Sequence, residues 1–246
     1  MQVSRIFLQK LTDMKKPAIF RQFFEKESST YTYIIGCKKT RNAVIIDPVL
    51  ETVERDTKYI KELDLNLIYG INTHVHADHI TGTGSLKKIF SSMKSVLSSF
   101  TKAKADMYIN FKESLKIGEI KLNFKPTPGH TQGCMTIISD DLESAFTGDT
   151  LLIRSCGRTD FQEGSADKLY DSVHNNIFTL PDHYKLYPAH DYNGVTYTTV
   201  GEEKKYNPRL TQNKEKFIET MNNLNLPYPK QIDKSVPANM KCGVDF

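Results

Sequence analysis

The sequence predicts an α/β fold in which two mixed β-sheets pack face to face and helices cover the outer faces. Three observations carry that expectation. Short runs rich in β-branched and aromatic residues, bounded by turn residues, outnumber the helical stretches. Amphipathic helical patterns are interspersed among them. Two halves of similar size share this style without repeating each other's sequence. No low-complexity stretch or Gly/Ser-rich linker divides the 246 residues, so a single domain is expected over 1–246. That length buries a sizeable core.

Arg21–Phe24, Tyr31–Ile35 and Ala43–Pro48 read as three strands. A helix follows from about Glu51 to Leu63, with Val53, Ile60 and Leu63 on one side. Leu67–Asn72 reads as a buried strand, and a helix from about Ile80 to Phe90 comes after it. In the second half Ile120–Lys125, Met135–Ser139, Ser144–Thr147 and Lys185–Tyr187 read as strands. Ala166–Phe178 and Thr211–Leu224 read as helices, and the tail with Pro227, Pro229 and Pro237 as extended.

A formal charge of +4 is mild, and the 33 basic residues never form a long run, which argues against nucleic acid as a partner. No apolar run approaches the ~18 residues of a membrane span. Cys37, Cys134, Cys156 and Cys242 lie far apart with no CxxC pair, as expected for free thiols in a reducing compartment. Residues 1–11 mix basic and apolar side chains, with no acid until Asp13. This is compatible with a short, Arg-poor mitochondrial presequence, a frayed terminal strand or helix being the competing reading. Residues 1–16 are therefore set apart as a flexible or targeting segment.

The strand at 67–72 delivers Thr73-His74-Val75-His76-Ala77-Asp78-His79, which holds three of the seven histidines. Imidazole and carboxylate are the ligands that borderline divalent metals prefer. Three histidines bunched at a strand end are costly to bury without partners, and a metal would satisfy them. Later strands lead to His130 in Pro128-Gly129-His130-Thr131, to Asp149 after Gly148, and to His190 in Pro188-Ala189-His190-Asp191. Ligands at strand ends are held by rigid scaffold. Glycine beside them permits tight backbone turns.

The order HxHxDH, distant His, Asp, final His resembles the metallo-β-lactamase superfamily, with all seven ligand positions filled. The resemblance covers nearly the whole chain and implies an αββα sandwich with the site at one edge. Two ligand arrangements are open. Two metals would divide the donors into His74, His76 and His130 against Asp78, His79 and His190, with Asp149 bridging, a set suited to hydrolysis. One iron would take His74, His130 and Asp149 alone, a two-histidine, one-carboxylate triad with open positions. Spacing does not choose between them.

More specific runs resemble the ETHE1-type persulfide dioxygenases (sulfur dioxygenases). They are Leu151–Gln162 with its Gly157-Arg158-Thr159-Asp160-Phe161-Gln162, Tyr187-Pro188-Ala189-His190-Asp191-Tyr192, Asn207-Pro208-Arg209-Leu210 and Val236–Gly243. The resemblance implies one Fe(2+) per chain on His74, His130 and Asp149. His76, Asp78, His79 and His190 would then orient those ligands through hydrogen bonds. It implies oxidation of glutathione persulfide by O2 to sulfite and glutathione, in sulfide detoxification, by a homodimer in the mitochondrial matrix or, failing that, the cytoplasm. A dinuclear zinc hydrolase of S-acylglutathione thiolesters, like glyoxalase II, is the alternative. Glutathione carries two carboxylates, so Arg158 and, less directly, Arg154 are expected substrate contacts. The competing role for Arg158 is a loop brace on Asp160 or Asp191. Tyr192 is expected to turn its hydroxyl towards sulfur or oxygen, or else to pack at the loop base. Cys156 is expected to be structural, and Asp191 a local brace. The aromatic residues Phe20, Phe23, Phe24, Tyr31 and Tyr33 are expected in the core, with a subunit interface as their second use.

Overall fold

A computed structural model describes residues 17–243 of the protein. The targeting expectation for 1–16 lies outside the described residues. Among them, β1 (Ala18–Glu25), β2 (Thr30–Cys37), β3 (Asn42–Ile46), β4 (Asn66–Ile71), β5 (Lys94–Ser98) and β6 (Met107–Ile109) form one sheet in chain order. β1 to β3 pair antiparallel and β3 to β6 parallel. A second sheet runs β7 (Leu115–Ile117), β8 (Ile120–Pro126), β9 (Met135–Ser139), β10 (Ser144–Gly148), β11 (Lys185–Pro188) and β12 (Thr198–Thr199). It is antiparallel except for β10 beside β11. Both sheets are mixed, as expected.

Parallel neighbours need crossovers. Helix α1 (Val53–Glu62) links β3 to β4, and α2 (Thr83–Ile89) links β4 to β5. Helix α3 (Ala166–Ser172), prolonged by a π-turn over Val173–Ile177, links β10 to β11. Ser165 starts α3 by accepting from the Lys168 N–H. Alternation within strands feeds three apolar layers. On β2, Tyr31, Tyr33, Ile35 and Cys37 face the space between the sheets, while Ile34 packs with Ile45, Ile60 and Leu86 beneath α1 and α2. On β10, Phe146 faces inward, while Ala145 packs with Leu169, Val173 and Phe217 beneath α3 and α5 (Lys214–Asn222).

The central layer is aromatic. Phe20, Tyr33, Phe146 and Tyr187 lie with ring centroids 5.0–6.2 Å apart. The buried Tyr33 hydroxyl donates to the Pro188 carbonyl at 2.5 Å, tying β2 to the end of β11. Of the N-terminal aromatics, Tyr31 and Tyr33 are buried and Phe20 packs against the core, while Phe24 stays exposed.

Several expectations need correction. The helix expected from Ile80 starts at Thr83, because the intervening residues cross-link to the segment after β3: Thr81 forms a bridge with Val49, and the Gly82 N–H donates to Pro48 at 2.7 Å. The helix expected from Thr211 starts at Lys214, where the Asn213 side chain accepts from the Lys216 N–H. The tail is not all extended: α6 (Ile232–Asn239) is a helix with Pro237 inside it. Strands β5, β6, β7 and β12, and helix α4 (Val200–Tyr206) with its Thr199/Glu202 capping box, went unread.

Candidate metal centre

The ends of β4, β8, β10 and β11 meet at one edge of the sandwich, and each loop that leaves them carries metal-type side chains. The loop after β4 is strapped down from three directions. The Asp47 carboxylate, just past β3, accepts from the Thr73 N–H at 2.7 Å and the Thr73 hydroxyl at 2.9 Å. The Asn239 amide of α6 donates to the carbonyls of His76 and His79, each at 2.8 Å, and accepts from the Thr81 N–H at 2.8 Å. Gln162 donates to the Val75 carbonyl at 2.8 Å. Gly148 makes room for this packing: its φ is +54°, and a Cβ there would sit 2.7 Å from the Thr73 hydroxyl. Gly129, at φ +141°, lets the His130 loop lie against Leu169, 2.3 Å from where a Cβ would be.

His74, His130 and Asp149 converge. Asp149 Oδ2 is 4.0 Å from His74 Nε2 and 3.6 Å from His130 Nε2. Hydrogen-bond partners assign the ring tautomers. His130 Nδ1 lies 2.7 Å from the Arg158 carbonyl, which only accepts, so Nδ1 carries the proton. His74 Nδ1 lies 3.0 Å from the Thr73 hydroxyl, whose own proton is given to Asp47, so this nitrogen too is the donor. Both rings therefore turn an Nε2 lone pair towards Asp149. Two imidazole lone pairs and a carboxylate oxygen, within 4.8 Å of one another, are a donor set that fits a divalent metal.

A second group adjoins it, in which His76, Asp78, His79 and His190 also bring donor atoms within 4.8 Å of one another. His190 is clamped between carboxylates, with Nδ1 2.6 Å from Asp149 Oδ1 and Nε2 2.8 Å from Asp78 Oδ2. His76 Nε2 is 3.0 Å from Asp47, and His79 Nδ1 is 3.0 Å from Asp78. Among the described residues, buried His76 Nδ1 and His79 Nε2 have no hydrogen-bond partner.

Charge follows geometry. Burial alone would push His190 down, but the charges of Asp149 and Asp78 and their hydrogen bonds hold it well above the usual imidazole range. Burial would raise Asp149, yet His190 above all, then His130 and His74, hold it well below the usual carboxylate range. Burial, reinforced by the charge of His76, keeps His74 well below its usual range and so able to offer a lone pair.

All seven predicted metal-type residues thus lie in one place. The other expectations divide. The Arg158 guanidinium gives Nε–H and Nη2–H to Asp160, each at 2.7 Å, gives Nη1–H to Pro227, and lies 4.7 Å over the Phe161 ring. This is the bracing role. Arg154 is held by Glu203 and Thr198. Tyr192 is 74 % exposed, with its ring parallel to His190 at 6.4 Å. Asp191 accepts from the N–H groups of Asn193 and Val195, a local brace as expected. Cys156 is buried against Met221, and burial pushes its thiol up to about 11, as befits a structural cysteine. All four cysteines are free and buried.

Sequence reasoning missed Asp47, Thr30 and the clamping role of Asn239. Asp47-Pro48 had a usable signal: an acid at a strand end, placed as the predicted ligands are. Thr30 and Asn239 carry none, since a lone Thr or Asn is common anywhere.

Comparison with known proteins agrees with this geometry. The profile of the Metallo-beta-lactamase superfamily matches residues 26–93 and 104–190. The mitochondrial persulfide dioxygenase ETHE1 of Mus musculus is 56 % identical over 228 residues, covering 93 % of this chain and 90 % of its own. That of Homo sapiens is 52 % identical, covering 99 % and 96 %. The crystal structure of ETHE1 from Myxococcus xanthus superposes with a TM-score of 0.89 at 48 % identity, over 92 % of this chain and 100 % of that one.

Proposed function

The chain belongs to the metallo-β-lactamase superfamily and, within it, to the ETHE1 persulfide dioxygenases, and on that premise we propose that it oxidises glutathione persulfide with O2 and water to sulfite and glutathione at a single non-haem iron. The observation that carries the ligand assignment is the tautomer pair: His74 and His130 both commit Nδ1–H to the protein and present Nε2 beside Asp149; the choice of iron follows from the family. Bound there, ferrous iron would supply open positions for a soft sulfur donor and for oxygen, and redox chemistry that zinc lacks.

The protein's own task is orientation. His190 pins Asp149 Oδ1 at 2.6 Å and so leaves Oδ2 beside the Nε2 atoms of His74 and His130, where a metal would sit. Both nitrogens of His190 face carboxylates, Nδ1 that of Asp149 and Nε2 that of Asp78, so the ring ties the two donor groups together. His76, Asp78 and His79 complete the surrounding network. Tyr192 stands at the rim, exposed and parallel to His190, where its hydroxyl would meet the substrate. Arg158 would have to release Asp160, and Arg154 to release Glu203, before either took a glutathione carboxylate.

The second reading, a dinuclear zinc hydrolase of S-acylglutathione thiolesters, draws on the unpartnered His76 Nδ1 and His79 Nε2 beside Asp78. Metal analysis combined with oxygen uptake separates the two. About one iron per chain and O2 consumption with glutathione persulfide are expected. Two zinc ions per chain and hydrolysis of S-lactoylglutathione without O2 uptake would overturn the assignment. The mammalian relatives are named mitochondrial, which supports a mitochondrial location for this chain. None of the described helices is long and apolar enough to cross a membrane. Phe24, exposed on the edge strand β1, is the residue we would look to in a homodimer contact.

A further inference from the structure

We propose that Thr30, through its hydroxyl, is a positioning residue that sets the orientation of His79 and His190 and hence of Asp149. Thr30 opens β2, is fully buried, and comes from the sheet opposite His190. A hydroxyl has one proton and two lone pairs. Its shorter contacts can be assigned from the outer end inward, with Asp78 Oδ2 farther off at 3.4 Å.

The Glu25 carboxylate only accepts. The Ser28 hydroxyl lies 2.6 Å from Glu25 Oε2 and so donates to it. Ser28 Oγ is then left as an acceptor for the Thr30 proton, at 2.7 Å. The two lone pairs of Thr30 Oγ1 face His190 Nε2 at 3.1 Å and His79 Nδ1 at 3.3 Å. Each of these ring nitrogens is also within 3.0 Å of Asp78 Oδ2, so each carries a proton. A directed chain runs from the two imidazoles through Thr30 and Ser28 to Glu25. Backbone bonds fix its frame: the Tyr31 N–H donates to Ala189 at 2.7 Å and the Asp191 N–H to Ser29 at 3.3 Å. Thr30 thus reaches across the joint between the sheets and holds the far side of the ring that holds Asp149. Thr30 adds a third contact, at Nε2, to a ring held by Asp149 and Asp78.

The turnover arm of the test rests on the proposed dioxygenase reaction; the spectroscopic arm does not. Thr30→Val keeps the shape and removes the hydroxyl, and Thr30→Ser keeps the hydroxyl. In metal-free protein labelled with 15N-histidine, Thr30→Val is expected to shift or broaden away the ring N–H resonances of His190 and His79, and Thr30→Ser to keep them. In iron-loaded protein with glutathione persulfide, Thr30→Val is expected to retain its iron but lose roughly tenfold in kcat, with KM little changed, and Thr30→Ser to recover most of the loss. Wild-type resonances and kcat in Thr30→Val would overturn the proposal. So would a Thr30→Ser variant as impaired as Thr30→Val, since shape and not the hydroxyl would then matter. Should Thr30→Val not fold, Ser28→Ala cuts the same chain one link outward and is expected to change both readouts in the same direction; no change would overturn it. Absence of O2 uptake by the wild type would refute the dioxygenase reading and leave the imidazole spectra to decide on Thr30.

Discussion

Replacing Asn239 with alanine removes one buried amide and strands three backbone groups: the carbonyls of His76 and His79 and the N–H of Thr81. A buried group left without its partner costs about 1–3 kcal/mol. Simple addition would give up to about 9 kcal/mol, but water recovers part of this. A cavity of about 10 Å³ already adjoins Asn239, lined by Asn72, His74, Thr81 and Cys242 among others. That is close to the room one water needs, and truncation would enlarge it. The expected loss is therefore about 3 kcal/mol, or roughly 6–12 °C in Tm for a chain of this size. Asn239→Asp distinguishes mechanism from mere size. It keeps an acceptor for Thr81 but sets a carboxylate against two carbonyls, so it should cost at least as much as alanine at neutral pH. Denaturant unfolding with matched m-values, followed by metal titration, makes the measurement. A loss below about 1 kcal/mol for alanine, or an aspartate variant as stable as wild type, would refute the clamp.

Three other perturbations give direct readouts. Asp149→Ala should lose most bound iron, whereas His190→Ala should keep it and lose turnover; plasma emission analysis on both variants tests the ligand set, and a His190→Ala protein stripped of metal would count against it. Phe146→Ala opens the aromatic layer between the sheets and should cost about 3–5 kcal/mol in chemical denaturation without altering the donor set. In metal-free protein, His190 is held above its ordinary 6.5, so its contribution is fully present below that pH and is lost as pH rises through its folded value. Asp78 and Asp149 are held below their ordinary 3.8, so theirs is present above that pH and is lost as pH falls through the folded values. Thermal melts should show both limbs, and His190→Gln should remove the alkaline one.

The readable parts of the fold were those whose burial leaves a local pattern. β2, β3 and β9 are buried on both faces and appear as β-branched or aromatic runs, and β4 is a largely apolar run. β5 hides because Lys94, Ser95 and Ser98 dilute Val96 and Leu97, and β6 and β7 are three residues each. Pro237 argued for an extended tail. Helix α6 forms nonetheless, since Ile232, Ser235 and Asn239 are buried and Val236 and Met240 pack beside Val75. The metal-type residues were legible because four strand-end loops carry them. Which atoms bond which was not, because Asp47, Thr30 and Asn239 act across distances of 26 to 163 positions along the chain.

The compactness of the histidine run has a consequence for how metal and folding are linked. His74, His76, Asp78 and His79 are neighbours in the chain itself, so they remain neighbours when the protein is denatured. A denatured chain therefore keeps a short-range chelator of its own. Folding divides that chelator: His76, Asp78 and His79 are grouped with His190, and His74 joins His130 and Asp149. Metal bound by the denatured chain subtracts from the stabilisation that metal gives the native one. Loaded protein should accordingly gain less than its native affinity alone implies, and the preference for the folded form rests on the two ligands that only folding can deliver.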